Sequence, residues 1–309
     1  MSIQWKGVMP AITTQFTAND ELDLNLFKVN IKAQLDAGVH GLVLGGTLGE
    51  ASTLTDKERR ILTKETVAFV EGKVPVLVNI AEQTTKAAIE LAKTAEVDGA
   101  KGLMMLPPMR YNASNEEVVQ YFEAVANNTS LPIMIYNNPI DYKILITLDM
   151  FEELIKTCPN IQAVKESTRD TTNITRIKNR FADRLTIMTG VDTLALESLI
   201  LGADGWVAGL VNAFPAETVA IYELQKAGRI KEAIDIYRWF MPLLELDIHS
   251  KLVQYIKLAA VHTKIGAEYV RAPRLVLEGD ERIRTEKIIK DAIAVRPILP
   301  DYKNLNVLV

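Results

Sequence analysis

Cysteine is nearly absent. Cys158 stands alone in 309 residues, so no disulfide can form within the chain, which points to a reducing compartment. Histidine is almost as scarce. His40, His249 and His262 are far apart, and no His/Cys/carboxylate cluster has metal-ligand spacing. Metal chemistry is not expected. Neither sign of charge dominates: 35 Lys+Arg face 39 Asp+Glu, a net −4. Such a balance gives no electrostatic reason to bind nucleic acid or an anionic membrane. No stretch approaches the ~18 uncharged apolar residues of a membrane span. The opening Met1-Ser2-Ile3-Gln4-Trp5-Lys6 lacks the apolar core of a signal peptide. A cytoplasmic location is the expectation. A Gly-x-Ser-x-Gly elbow, the mark of one large hydrolase class, is missing too.

What the chain does have is apolar residue in quantity, 48%, and a regular alternation of two patterns. Short β-rich apolar runs fall at 7–13, 41–45, 74–80, 102–106, 132–136, 161–165, 185–189 and 205–208. Amphipathic stretches with helical spacing fill the gaps, at 23–37, 55–69, 84–95, 114–125, 147–156, 170–181 and 192–201. Thr55-Asp56-Lys57-Glu58 has the form of a capping box. Eight strand–helix units predict an α/β fold, a (β/α)8 TIM barrel. The barrel is expected over 1–225, with a C-terminal helical domain over 226–309 built from helices near 230–246, 251–265 and 281–295. The rival is an open doubly wound sheet, which is weakened because no dinucleotide fingerprint follows the first strand.

In such a barrel, chemistry belongs at the C-terminal ends of the strands. Strand six ends in Lys165, after Ile161-Gln162-Ala163-Val164. A buried amine loses its proton more readily, and a neutral amine attacks carbonyls. The plain alternative is a strand-end cation paired with Glu166 or Asp170. Strand two ends in Gly45-Gly46-Thr47-Leu48-Gly49-Glu50, whose backbone N–H groups and Thr47 hydroxyl suit a carboxylate. Strand five ends in Tyr136, a phenol able to relay protons beside Lys165. Strand seven ends in Gly190-Val191-Asp192. Met104 and Met105 read as barrel core. Trp5, Trp206 and Trp239 read as packing residues, and His40 as packing between the first helix and second strand.

Four ordered segments resemble the dihydrodipicolinate synthase / N-acetylneuraminate lyase family of Schiff-base enzymes. They are Gly7-Val8-Met9-Pro10-Ala11-Ile12-Thr13-Thr14, Gly46-Thr47-Leu48-Gly49-Glu50, Tyr136-Asn137-Asn138-Pro139 and Val164-Lys165-Glu166-Ser167. The resemblance implies a barrel with C-terminal helices, usually a homotetramer built from dimers. It implies a class I lyase without cofactor, in which Lys165 forms an imine with a 2-oxo acid. Tyr136 would shuttle protons, Thr47 and the Leu48 N–H would hold the carboxylate with Gly46, and Gly190 would offer its carbonyl.

The departures bear on substrate. The synthases carry Thr-Thr where this chain has Thr47-Leu48. They place a relay tyrosine at Arg110, so Tyr111 would substitute only if the loop shifts. They also carry an arginine after Tyr-Asn-x-Pro for a dicarboxylate aldehyde, whereas here the segment is Ile140-Asp141-Tyr142-Lys143. Asp141 would repel a carboxylate unless Lys143 or Arg110 compensates. With Leu106-Pro107-Pro108-Met109-Arg110-Tyr111, the 206–215 segment and Arg271-Ala272-Pro273-Arg274, the chain resembles a branch linked to hydroxyproline breakdown. That branch deaminates Δ1-pyrroline-4-hydroxy-2-carboxylate to 2-oxoglutarate semialdehyde. The alternatives are 4-hydroxy-tetrahydrodipicolinate synthase, a pyruvate-dependent sugar-acid aldolase or dehydratase, and a binding protein for 2-oxo acids without turnover. Arg271 and Arg274 read as surface charges at a helix end.

Overall fold

The computed structural model describes residues 3–108 and 111–305. Eight parallel strands, β1 (Gly7–Pro10), β2 (Leu42–Leu44), β3 (Val76–Ile80), β4 (Gly102–Met105), β5 (Ile133–Asn137), β6 (Ile161–Glu166), β7 (Thr186–Thr189) and β8 (Gly205–Ala208), form one sheet. Each pairs with its sequence neighbour, and β1 pairs with β8. The seam between β1 and β2 is carried by a parallel bridge, Ala11 to Val43, with the Ile12 N–H on the Val43 carbonyl at 2.9 Å. The result is a (β/α)8 TIM barrel with C-terminal helices. Strands β1 to β5 are buried along their whole length, because helices cover the outside and side chains fill the inside. That double burial is why they read as unbroken apolar runs.

Local chemistry sets the helix starts. Thr55 caps the helix Asp56–Val70, accepting from the Glu58 N–H while the Glu58 carboxylate accepts from the Thr55 N–H. Ser114 and Glu117 repeat the device ahead of Asn115–Ala126. Two elements fall short of the sequence expectation for identifiable reasons. The first strand ends at Pro10 because Thr13 and Thr14 turn away to bond Asn212 and the Gly49 carbonyl. The helix expected over 192–201 begins at Ala195, because Asp192 is drawn inward to accept from Trp206 Nε1 and the N–H groups of Gly209 and Leu210.

Helix Pro215–Lys226 packs on β1 and β8 and closes the barrel, and helices Ile230–Leu244, Leu252–His262 and Gly279–Ala294 follow. Trp239 stacks on Phe240, and both meet Phe214 edge-on. All three tryptophans are packed, as expected, and each indole donates one hydrogen bond. His40 is placed differently. Its Nδ1 accepts from the Val8 N–H, and its ring packs edge-on to Tyr222 of Pro215–Lys226. Arg271 is no surface charge. Its guanidinium bonds both Glu58 oxygens, Asp20 and the Thr53 carbonyl, over the Phe16 ring. Five donors in a planar fork suit it to clasp several acceptors at once.

Candidate active site

At the C-terminal mouth of the barrel lies a small cavity of about 70 Å³. Its lining includes Gly46, Thr47, Leu48, Tyr136, Lys165 and Gly190, contributed by the ends of four strands. Six of the eight residues expected at the site therefore converge. Tyr111 is exposed and does not line this cavity, and Arg110 lies outside the described residues.

Lys165 is 6% exposed, and its Nζ lies 4.0 Å from the centre of the Tyr136 ring. The two residues are register partners on β5 and β6. Among the described residues, no hydrogen bond or ion pair reaches Lys165 Nζ. Glu166 points to the opposite side of β6, where it accepts from Asn137, Asn173 and the Thr168 N–H. Asp170 is engaged by Thr172 and Arg176. The strand-end ion pair is thus not made. Burial pushes the Lys165 ammonium below its ordinary value, against the smaller opposing pulls of Tyr142, Asp247, Asp192 and Asp141. The sign is that of a nucleophile: more of the amine is neutral at a given pH than for a free lysine. The rate of imine formation is expected to rise with pH along a limb centred below the ordinary lysine value of about 10.4. Stopped-flow measurement against pH checks this, and a limb at the free-lysine position would contradict it.

Two glycines make room for these groups. A Cβ on Gly190 would come within 2.3 Å of Ser167 Oγ and 2.5 Å of Lys165 Cε. A Cβ on Gly49 would press on backbone of Gly45 and Ile12 at 3.0 Å. The turn that carries Thr47 is anchored by Glu50, which sits in the left-handed region at φ 53° and is fully buried. Glu50 pairs with the equally buried Lys257 at 2.6 Å and accepts from the Arg271 N–H at 3.0 Å.

Tyr142, Arg169 and Asp247 reach the mouth without having been singled out from sequence as site groups. Asn138 caps the short helix Pro139–Tyr142, turning the chain back over the rim. Tyr142 is thereby brought to the Thr47 hydroxyl, at 2.6 Å, with its ring edge-on to Tyr136 at 5.6 Å. Asn-Pro at a strand end was the available signal, since Asn caps and Pro is pre-organised for the first helical position. Arg169 lines the cavity from the loop after β6. Asp247 reaches it from the 3₁₀ turn Glu245–Ile248. Tyr136 accepts from Asn138 Nδ2 at 3.1 Å, and burial raises both phenols, keeping them protonated. Ser167 Oγ lies close enough to ease the Tyr136 ionisation slightly, yet it makes no hydrogen bond of ordinary geometry. Among the described residues, no group of three His, Cys, Asp or Glu stands where it could hold a metal ion. No helix among them is long and apolar enough to cross a membrane.

Residues 4–292 match the model of the dihydrodipicolinate synthetase family. A 4-hydroxy-tetrahydrodipicolinate synthase of Exiguobacterium sibiricum is 35% identical over 273 residues, 88% of this chain and 92% of that protein. The synthase of Methanococcus aeolicus is 30% identical over 287 residues, 93% of this chain and 98% of that one. Among solved structures, the 4-hydroxy-tetrahydrodipicolinate synthase of Methylacidiphilum fumariolicum superposes with a TM-score of 0.88 at 27% identity, covering 94% of this chain and 98% of that one. A prophage protein of the dihydrodipicolinic acid synthase family from E. coli K12, in complex with pyruvate, gives 0.88 at 25% identity, covering 94% and 99%.

Proposed function

The chain belongs to the dihydrodipicolinate synthetase family, and from that premise we propose that it is a lysine Schiff-base lyase acting on a 2-oxo acid through Lys165. The observation that carries this is the buried amine without a partner, 4.0 Å from the Tyr136 ring at the barrel mouth. The Lys165 amine adds to the C2 carbonyl, and loss of water leaves an iminium. The iminium draws electrons from C3, so a C3–H or C3–C4 bond becomes easier to break or form. Thr47 and the Leu48 N–H hold the substrate carboxylate, with Gly46 letting the backbone approach. Tyr136 carries the proton to and from the forming imine. Tyr142, bonded to Thr47, continues the relay towards solvent.

The relay has a kinetic signature. Tyr136→Phe is expected to lower kcat about a hundredfold or more while KM changes little. A raised KM with unchanged kcat would remove proton transfer from the role of this phenol.

The second half of the reaction has two readings. The relatives carry the synthase name, which favours condensation of pyruvate with an aldehyde, the alternative weighed from sequence, over deamination of Δ1-pyrroline-4-hydroxy-2-carboxylate. One observation keeps the deaminase as the second reading. Asp141 and Asp247 line the mouth, and Lys143 is turned away to the Ile140 carbonyl. Besides Lys165, only Arg169 among the described lining residues is cationic, so a second substrate carboxylate is poorly served. The deamination consumes one water overall: two imine hydrolyses add two, and loss of the 4-hydroxyl removes one, releasing ammonia. Parallel assays decide. Pyruvate with aspartate semialdehyde tests the synthase. The cyclic imino acid, coupled to an NADP-linked semialdehyde dehydrogenase, tests the deaminase. Turnover of neither, with pyruvate still forming the imine, would point to sugar-acid cleavage or dehydration. An unreactive Lys165 would favour the binding protein. A homotetramer is proposed on the resemblance.

A further inference from the structure

Asp247 is one of the ionisable groups at the mouth, with Asp141 and Arg169, that the proposed chemistry leaves unused. It comes from outside the strand ends, on the 3₁₀ turn that ends the helix Ile230–Leu244. It lines the same cavity as Lys165 and Tyr136. Gly209, at the end of β8, leaves the space it fills: a Cβ there would lie 2.2 Å from Asp247 Oδ1. Among the described residues, neither carboxyl oxygen has a hydrogen bond or an ion pair. A partly buried carboxyl that faces the cavity without a protein partner is free to bond a ligand there.

We propose that Asp247 is a specificity-determining residue that hydrogen-bonds a hydroxyl on the substrate arm beyond the imine carbon. This rests on the Schiff-base reading and concerns the arm beyond the imine carbon, which pyruvate lacks: an arm carrying a hydroxyl is preferred over a plain one. Three features favour a hydroxyl as its partner. A second carboxylate would face Asp141 and Asp247 together at this mouth. Burial and the neighbouring Asp192 push the Asp247 carboxyl up, against the weaker pull of Lys165, so a neutral partner suits this place better than a further anion. Ser167 Oγ, buried on the same cavity and without a hydrogen bond of ordinary geometry, is a second polar group a ligand there can meet.

The test compares 4-hydroxy-2-oxopentanoate with 2-oxopentanoate, which differ by that hydroxyl alone. Each is trapped on Lys165 with borohydride, and total adduct is followed against concentration, with pyruvate as the control. Wild-type protein is expected to half-saturate with the hydroxylated acid at a concentration at least about tenfold lower than with the plain one. Asp247→Leu should bring the two within about twofold of each other, and Asp247→Asn, which still offers hydrogen-bonding atoms at that place, should retain part of the preference. Both variants should still form the pyruvate adduct on Lys165, which shows that they remain folded. Pyruvate trapping without discrimination in the wild type, or equal loss for both acids in the variants, would overturn this proposal alone. Absence of any pyruvate adduct in the wild type would overturn the Schiff-base reading and the proposal with it.

Discussion

Lys165→Ala is expected to leave less than about one part in a thousand of the wild-type kcat/KM, with the fold intact. The two halves of this result have separate causes. Activity falls because no other described lysine lines the cavity, so nothing can replace the amine that forms the imine. The fold survives because Lys165 contributes little to it. Its amine makes no ion pair or hydrogen bond among the described residues, and burying it costs solvation. Removing it therefore relieves a penalty, at the expense of a small void beside Gly190. Lys165→Met, which fills that void, is expected to match or exceed the wild-type thermal midpoint while remaining inactive. Strained or unsatisfied groups at functional sites give this stability–activity trade-off. Residual turnover above the stated level would argue against an obligatory imine. A folding failure in both variants would argue that the lysine is structural.

The second large effect is on stability. Lys257→Met is expected to destabilise the protein by about 3–5 kcal/mol, because it leaves the Glu50 carboxylate buried without its partner. Both side chains are fully buried, and Lys257 Nζ also donates to the Tyr269 carbonyl. The Lys257 ammonium is pulled down to about 8 by burial, against the opposing pull of Glu50, so the pair holds its charges at a cost. Once Lys257 is gone, Glu50 keeps the Arg271 N–H and a distant Arg274 guanidinium at 3.7 Å. Lys257→Met with Glu50→Gln is expected to recover at least half of the loss, since no bare charge remains. Urea denaturation of the single and double variants measures both. A double variant no better than Lys257→Met would show that the loss comes from packing around Phe16, which lies 4.7 Å from Lys257 Nζ.

The barrel was legible because of how its strands are buried. Helices outside and side chains inside leave no polar face, so each strand stands out as a short apolar run between amphipathic stretches. The capping box at Thr55 and the end positions of Lys165 and Tyr136 could be read for the same reason: local pattern decides them. What escaped depends on how the chain returns on itself. Tyr142 was seen only as part of a segment missing an arginine, and its approach to Thr47 needs the turn set by Asn138 and Pro139. Asp247 falls in Glu245-Leu246-Asp247-Ile248, which continues the apolar spacing of the preceding helix. The tightening to a 3₁₀ turn is what aims its carboxyl at the cavity. Arg271 read as a surface charge at a helix end, and no local pattern marked Lys257. Their partners, Glu50 and Glu58, lie more than 200 residues away in sequence. No local pattern carries such pairing.

The most direct test of the central claim is borohydride reduction in the presence of pyruvate, followed by peptide mass spectrometry. The account predicts one reduced adduct, on the peptide that carries Lys165, and its absence in Lys165→Ala. No adduct, or an adduct on another lysine with Lys165 left free, would contradict it.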